Sequence, residues 1–282
     1  MTRRDFLRWT AAAGLGTAGV TAYTFEVEPH WVAVEERDLP VAGLPPALAG
    51  ARLVQISDLH VGPEVSDDYL VGCLERVAAL RPDILVVTGD FLTYSQPRGD
   101  AQFGQLRDVL AHLPQGRLAT LGILGNHDYG RGWSEPPVAA RVAAVAEQAG
   151  VRILRNDCAT VEGLDAVGVD DLGAGRADPV RALDGRSGEA AVVLCHNPDT
   201  LDALPWAGYR GWILAGHTHG GQCKPPFLPP PLVPVRNRRY VAGEVGLDDG
   251  RRLYVNRGLG HIALQARFNA RPEITCFTLQ PA

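Results

Sequence analysis

The chain has 282 residues, 46% hydrophobic and 21% charged, an ordinary globular composition for one large domain or two small ones. A core of that size needs no disulfide staples. The five cysteines, Cys73, Cys158, Cys195, Cys223 and Cys276, lack C-x-x-C spacing, which argues against a zinc ribbon or disulfide framework and for small buried hydrophobes. A net charge of -5 argues against a nucleic-acid partner, although residues 236–271 are rich in arginine and read as a basic surface for an anion or as a solvated arginine face.

The first residues are Met1-Thr2-Arg3-Arg4-Asp5-Phe6-Leu7-Arg8, and an Ala/Gly-rich apolar run follows from Trp9 to Tyr23. A basic start before a short apolar run describes an export signal, and the run is too short and glycine-rich for a convincing transmembrane helix. The Arg3-Arg4 pair before Phe6-Leu7 resembles the twin-arginine class of bacterial signals. That resemblance implies passage through the twin-arginine translocase, metal loading in the cytoplasm, and a periplasmic or other extracytoplasmic destination. Residues 1–22 are assigned to this segment and 23–282 to the folded domain. Val20-Thr21-Ala22 offers a weak cleavage site, with an uncleaved anchor as the alternative.

Residues 23–50 are mixed and Pro-spotted, with an edge strand expected over 30–37. A strand–loop–helix rhythm then begins. Strands are expected over 52–57, 84–88 and 119–124, alternating with helices over 66–80, 101–113 and 138–149. Further strands are expected over 151–154, 159–161, 165–169, 190–194, 211–214, 252–256 and 274–279. The alternation predicts an α/β fold with stacked sheets flanked by helices. There is no internal repeat and no linker long enough to divide the chain.

Five polar motifs each begin where an apolar strand ends. They are Asp58-Leu59-His60, Gly89-Asp90, Gly125-Asn126-His127-Asp128, His196-Asn197-Pro198 and Gly216-His217-Thr218-His219-Gly220-Gly221-Gln222. Ligands of open α/β sheets collect at strand carboxyl ends, so these residues are expected to converge. Imidazoles and carboxylates together suit Zn, Fe or Mn, and one carboxylate can bridge two ions about 3.5–4 Å apart. A single intervening residue in D-x-H and H-x-H is expected to point both side chains the same way from extended backbone. Gly89, Gly125 and Gly216 are expected to let the chain turn beneath the ions. Each fragment alone is weak; the GNHD and GHTHGG runs, and the order of all five, are specific. The H-x-H-x-D-H run of metallo-β-lactamase-like hydrolases is absent.

From about Arg52 to the C-terminus this pattern resembles the calcineurin-like metallophosphoesterase superfamily, whose elements D-x-H, G-D, G-N-H-[DE], H and G-H-x-H all occur here. The SDLH start, the GHTHGGQ run and residues 256–260 through 271–274 resemble its exported bacterial branch. The resemblance implies a four-layer α/β/β/α sandwich of two mixed sheets, with a binuclear metal site at the strand C-terminal edge. It implies one divalent ion on Asp58, His60 and His219, a second on Asn126, His196 and His217, and Asp90 bridging them. It implies that His127 faces the substrate as a catalytic residue, with Asp128 either orienting it or closing the turn. The implied activity is hydrolysis of a phosphate ester by water activated between two ions, with envelope or lipid-linked phosphodiesters favoured. A sugar-nucleotide-lipid pyrophosphohydrolase, a phosphomonoesterase and a non-catalytic relict module are the alternatives.

Residues 225–234 read PPFLPPPLVP, stiff and apolar, followed by Arg236, Arg238 and Arg239. Two readings stand: a loop packed over the core, or an apolar lip that meets a membrane or acyl chain beside lipid phosphates. Tyr129 and Trp133 are candidate pocket residues. His261 is expected to be structural.

Overall fold

The computed structural model describes residues 2–93 and 99–282. Met1, the first residue of the expected export segment, lies outside the described residues. The chain runs α1 (Arg3–Ala22), β1 (Ala33–Val41), β2 (Arg52–Ile56), α2 (Asp67–Ala79), β3 (Ile84–Thr88), α3 (Gly99–Leu110), β4 (Ala119–Ile123), α4 (Pro136–Gln148) and β5 (Arg152–Ile153). It continues through β6 (Asp157–Val161), β7 (Leu164–Val169), α5 (Pro179–Asp184), β8 (Ala191–Cys195), α6 (Thr200–Ala203), β9 (Trp212–Ala215), β10 (Gly243–Gly246), β11 (Arg252–Val255) and β12 (Glu273–Pro281).

The helices begin where their caps dictate. Ser66 accepts the amide of Tyr69 at the start of α2, and Asp67 and Asp68 lie in its first turn, where carboxylates favour the helix dipole. Pro136 opens α4 at a position that needs no N–H.

Two six-stranded sheets form, in the orders β1-β12-β2-β3-β4-β5 and β10-β11-β9-β8-β7-β6. Both are mixed. In the first, β12 runs antiparallel to β2 while β2, β3, β4 and β5 are parallel. In the second, β7, β8, β9 and β11 are parallel, with β6 and β10 antiparallel at the edges. Strand alternation sorts the side chains into three apolar layers. Leu85 and Val87 of β3 pack towards α2, α3 and α4 with Leu70, Phe103 and Val142. Their neighbours Ile84 and Val86 face the other sheet and meet Val192, Leu194 and Leu214. Beyond that sheet, Val193 and Ile213 pack against Leu183 of α5 and Leu201 of α6. The architecture is therefore the α/β/β/α sandwich. Cys73, Cys195 and Cys276 are buried and Cys158 and Cys223 partly so, all with free thiols.

The expected elements lie within a few residues of the observed ones. The edge strand differs most: it starts at Ala33 and extends to Val41 because all nine residues pair in parallel with β12. The short α5, α6 and β10 have no counterpart in the sequence reading, since six residues or fewer show no periodicity. Residues of the expected export segment form α1, opened by a reciprocal cap between Thr2 and Asp5. No described helix is long and apolar enough to cross a membrane. A π-turn, Tyr23–Val27, continues α1 without a break. There the Arg267 amide donates to the Thr24 carbonyl (3.0 Å), and the Tyr23 ring meets Phe268 edge-on.

Candidate metal centre

The five motifs leave β2, β3, β4, β8 and β9, and the packing of the two sheets turns their carboxyl ends towards one another. Asp58, Asp90 and Asn126 come from the first sheet; His196, His217 and His219 come from the second. The Asp58 amide donates to Gly89 O (2.9 Å), His60 to Asp90 O (3.0 Å) and Gly216 to His196 O (3.1 Å), which locks neighbouring loops together. Two groups of ligand-type atoms result: Asp58, His60 and His219, and Asp90, His196 and His217, the atoms of each within 4.8 Å of one another. All six residues are buried.

Asp90 lies between the groups. Its Oδ2 is 3.5 Å from His60 Nε2 and 3.2 Å from His196 Nε2. That oxygen is buried without a hydrogen-bond partner, a costly state for a carboxylate unless a cation completes it. The Nε2 atoms of His60 and His219 face each other at 3.1 Å, with Asp58 Oδ1 3.3 Å from the latter. Asn126 Oδ1 lies 3.2 Å from His196 Nε2. The outward ring atoms are occupied. His196 Nδ1 donates to the Thr88 carbonyl (2.8 Å), and His60 Nδ1 pairs with Thr93 Oγ1 (2.8 Å). In the ligating tautomer, with the proton on Nδ1, each ring aims its Nε2 lone pair inward. His217 is reversed: its Nε2 donates to the Pro234 carbonyl (3.0 Å), which frees Nδ1. This donor set fits two divalent cations.

Charge follows burial. Burial holds the imidazoles of His60 and His217 down at about 3, and that of His219 well below its ordinary value, so all three are neutral as ligation requires. Burial pushes the Asp58 carboxyl up to about 6. At Asp90 and His196 burial opposes charge, yet their mutual attraction wins, keeping Asp90 well below the carboxylate range and His196 well above the imidazole range, with a proton that a cation bound there would displace.

The backbone departs from the sequence expectation in two ways. Asp58, His60, Asp90, His217 and His219 all have positive φ, from 50° to 73°. A left-handed loop, rather than extended alternation, thus brings each D-x-H and H-x-H pair together. Of the three glycines expected to turn the chain, only Gly89 has positive φ (92°). Gly125 and Gly216 are needed for space: a Cβ at Gly125 would collide with Asp90 Oδ1, and one at Gly216 with Ser57 Oγ and Asp58 Oδ2.

His127 stands apart from both groups. Its ring is half-buried, 4.9 Å centroid to centroid from His60 and 6.2 Å from Trp133, while its amide donates to Asp90 Oδ1 (2.9 Å). Asp128 does not orient that ring. Its two oxygens accept the amides of Gly125 (2.9 Å) and Leu92 (3.1 Å), so it closes the turn. Tyr129 is no pocket residue either: it is buried, and its hydroxyl is held by Asp170 (2.5 Å) and Arg155 (2.9 Å). His261 bonds the Glu64 carbonyl (2.6 Å).

Sequence reasoning missed Arg267. It is fully buried and donates to the carbonyls of Ala270 (2.8 Å), Arg257 (3.0 Å), Gly258 (3.1 Å) and Gly260 (2.5 Å). Burial pulls its pKa down to about 10, so it stays charged at neutral pH. The loop it clamps carries the Gly260 amide onto Asp58 O (2.7 Å) and supports the first ligand group from below. Arg257, Arg251 and Arg271 are likewise engaged, with Glu273 and Glu35, with Asp249, and over the Trp31 ring. Arg251, Arg257, Arg267 and Arg271 are therefore internal clamp, while Arg236, Arg238 and Arg239 are exposed.

Two cavities flank the cradle. One, of about 590 Å³, is lined by Trp133, Asn197, Asp199 and Arg236. The other, of about 580 Å³, is a largely apolar groove between Leu232 and Leu264, with Thr218 and His219 in its wall. The Pro-rich segment does not pack over the core: Phe227, Leu228 and Leu232 are all exposed.

Residues 51–221, more than half of the chain, match the family model described as calcineurin-like phosphoesterase. The uncharacterised metallophosphoesterase YkuE of Bacillus subtilis is 32% identical, over 99% of this chain and 98% of its own. Phosphodiesterase YaeI of Escherichia coli is 29% identical, over 99% of each. UDP-2,3-diacylglucosamine pyrophosphatase LpxG of Chlamydia trachomatis is 28% identical, over 80% of this chain and 83% of its own. The chain belongs to the calcineurin-like phosphoesterase family and is a metal-dependent phosphoester hydrolase.

Proposed function

We propose that the chain is an exported phosphodiesterase that acts on lipid-linked phosphate esters of the cell envelope. In this reading Asp58, His60 and His219 would hold one divalent cation, Asn126, His196 and His217 would hold the other, and Asp90, between the two groups, would serve both. The observation that carries the binuclear assignment is the orphaned Asp90 Oδ2 between His60 and His196. Bound there, two divalent cations would supply Lewis acidity to a phosphate ester and to the attacking water. The chain's own residues do the rest. Thr88 and Thr93 fix the ring orientations, so that the inward nitrogens are set before substrate arrives. His127 holds the proton that the leaving oxygen takes up as its bond to phosphorus breaks, a task suited to imidazole at neutral pH.

The substrate class is supported by the exposed apolar residues beside the cradle and by the activities for which YaeI and LpxG are named. A lipid-linked diphosphate is the second reading, favoured by LpxG alone. Turnover of metal-loaded protein on bis-aryl phosphodiester, aryl phosphomonoester and lipid-linked pyrophosphate tests the assignment. The diester should be cleaved at least about tenfold faster than the monoester, in kcat/KM. Preference for the monoester would sink the diesterase reading.

Residues 1–22 act, in this proposal, as a twin-arginine signal, and 23–282 as the phosphoesterase domain. Export delivers the enzyme to the envelope, where the apolar lip and Arg236, Arg238 and Arg239 meet the membrane surface. Cell fractionation tests this. Wild-type protein should be recovered outside the cytoplasm with the membrane fraction, and Arg3→Lys with Arg4→Lys should stay inside. Cytoplasmic wild-type protein would refute it.

A further inference from the structure

The two cavities beside the cradle differ in chemistry and share one wall. Val233 and Pro234 line both. The divider is tied to the cradle, because the Pro234 carbonyl accepts from His217 Nε2 at 3.0 Å. On one side Trp133 offers a half-exposed ring, and Asn197, Asp199 and Arg236 offer polar groups. On the other, Leu232 and Leu264 are 82% and 61% exposed at the rim, with Pro231 and Ile262 between them. That groove adjoins the cradle, because Thr218 and His219 form part of its wall.

We infer that the Val233–Pro234 divider sorts the two ester arms of the substrate, seating an alkyl or acyl chain in the groove between Leu232 and Leu264 and a polar arm in the Trp133–Arg236 cavity. The inference deepens the proposed function and rests on the phosphate lying at the cradle. The occupant follows from the geometry. Among the described residues the wall beside His219 on that flank is largely apolar, and a groove lined mainly by leucine, isoleucine and proline gains chiefly by removing methylenes from water. The opposite cavity offers the reverse: an aromatic face for a ring, and acceptors and a guanidinium for hydroxyls or a second phosphate. Phe227, in the same Pro-rich segment, is fully exposed as well. The stiff run of prolines holds the divider in place without a ligand.

Binding and turnover separate this inference from the reading beneath it. Calorimetric titration of full-length, metal-loaded protein compares decyl phosphate, below its micelle concentration, with methyl phosphate. Decyl phosphate should bind at least about tenfold more tightly. In Leu232→Ser with Leu264→Ser that ratio should fall towards one, while Trp133→Ala should leave the ratio intact. Equal affinity of the two phosphates in wild-type protein would overturn the inference, and so would an unchanged ratio in the doubly substituted chain. Hydrolysis of bis-aryl phosphodiester is measured alongside. Turnover without a chain-length preference removes the groove assignment and leaves the phosphodiesterase. A chain-length preference without turnover leaves the groove and removes the phosphodiesterase.

Discussion

His127 is the residue on which binding and turnover divide. It contributes no atom to either ligand group, yet its ring abuts His60 and its amide braces Asp90. Removing the ring leaves that amide in place. His127→Ala should therefore keep its metal complement and lose about 10²–10⁴-fold in kcat, the usual contribution of a general acid. Elemental analysis beside a turnover assay checks it. Metal lost together with activity would make His127 a ligand or a structural residue. At this scale the sequence was most informative about residue types whose chemistry is rare: Asp58, His60, Asp90, Asn126, His196, His217 and His219 converge as their position after the strands predicts. It was least informative about Arg267. A buried arginine that clamps four carbonyls looks, in a sequence, like any of its surface neighbours, because its role depends on backbone acceptors that any residue can supply.

At the scale of elements, strand ends do the positioning. β2, β3, β4, β8 and β9 were legible because a buried strand is a short apolar run, and each stops where a ligand motif begins. The loops after them were legible only in composition. Their left-handed backbone at Asp58, His60, Asp90, His217 and His219 costs about 1–3 kcal/mol per residue and is invisible to pattern reading. Tertiary contact sustains it: the His217 amide is held by both Asp58 oxygens (3.1 and 3.0 Å) and the His60 amide by Asp90 O (3.0 Å). The Pro-rich segment shows the converse limit. Its stiffness was readable, but whether it covers the core or stands free depends on partners distant in sequence. Lys224 N on Phe268 O (2.7 Å) and Arg238 on Pro230 O tie the segment to the body, and between them Phe227 and Leu228 stand exposed.

On the scale of the whole molecule, the sandwich imposes the centre. The first sheet brings Asp58, His60, Asp90 and Asn126 and the second His196, His217 and His219, so neither set is complete without the packing of Ile84 and Val86 against Val192 and Leu194. The cost of that assembly is a buried carboxylate oxygen without a partner and imidazoles gathered at contact distance, a state that cations relieve. Elemental analysis of the purified wild-type chain, dialysed free of loosely bound ions, tests this most directly. Two divalent cations per chain are expected, falling to one or none in Asp90→Ala. A wild-type chain that retains a single ion or none after loading with Mn or Zn, or an Asp90→Ala chain that still holds two, would contradict the bridged centre.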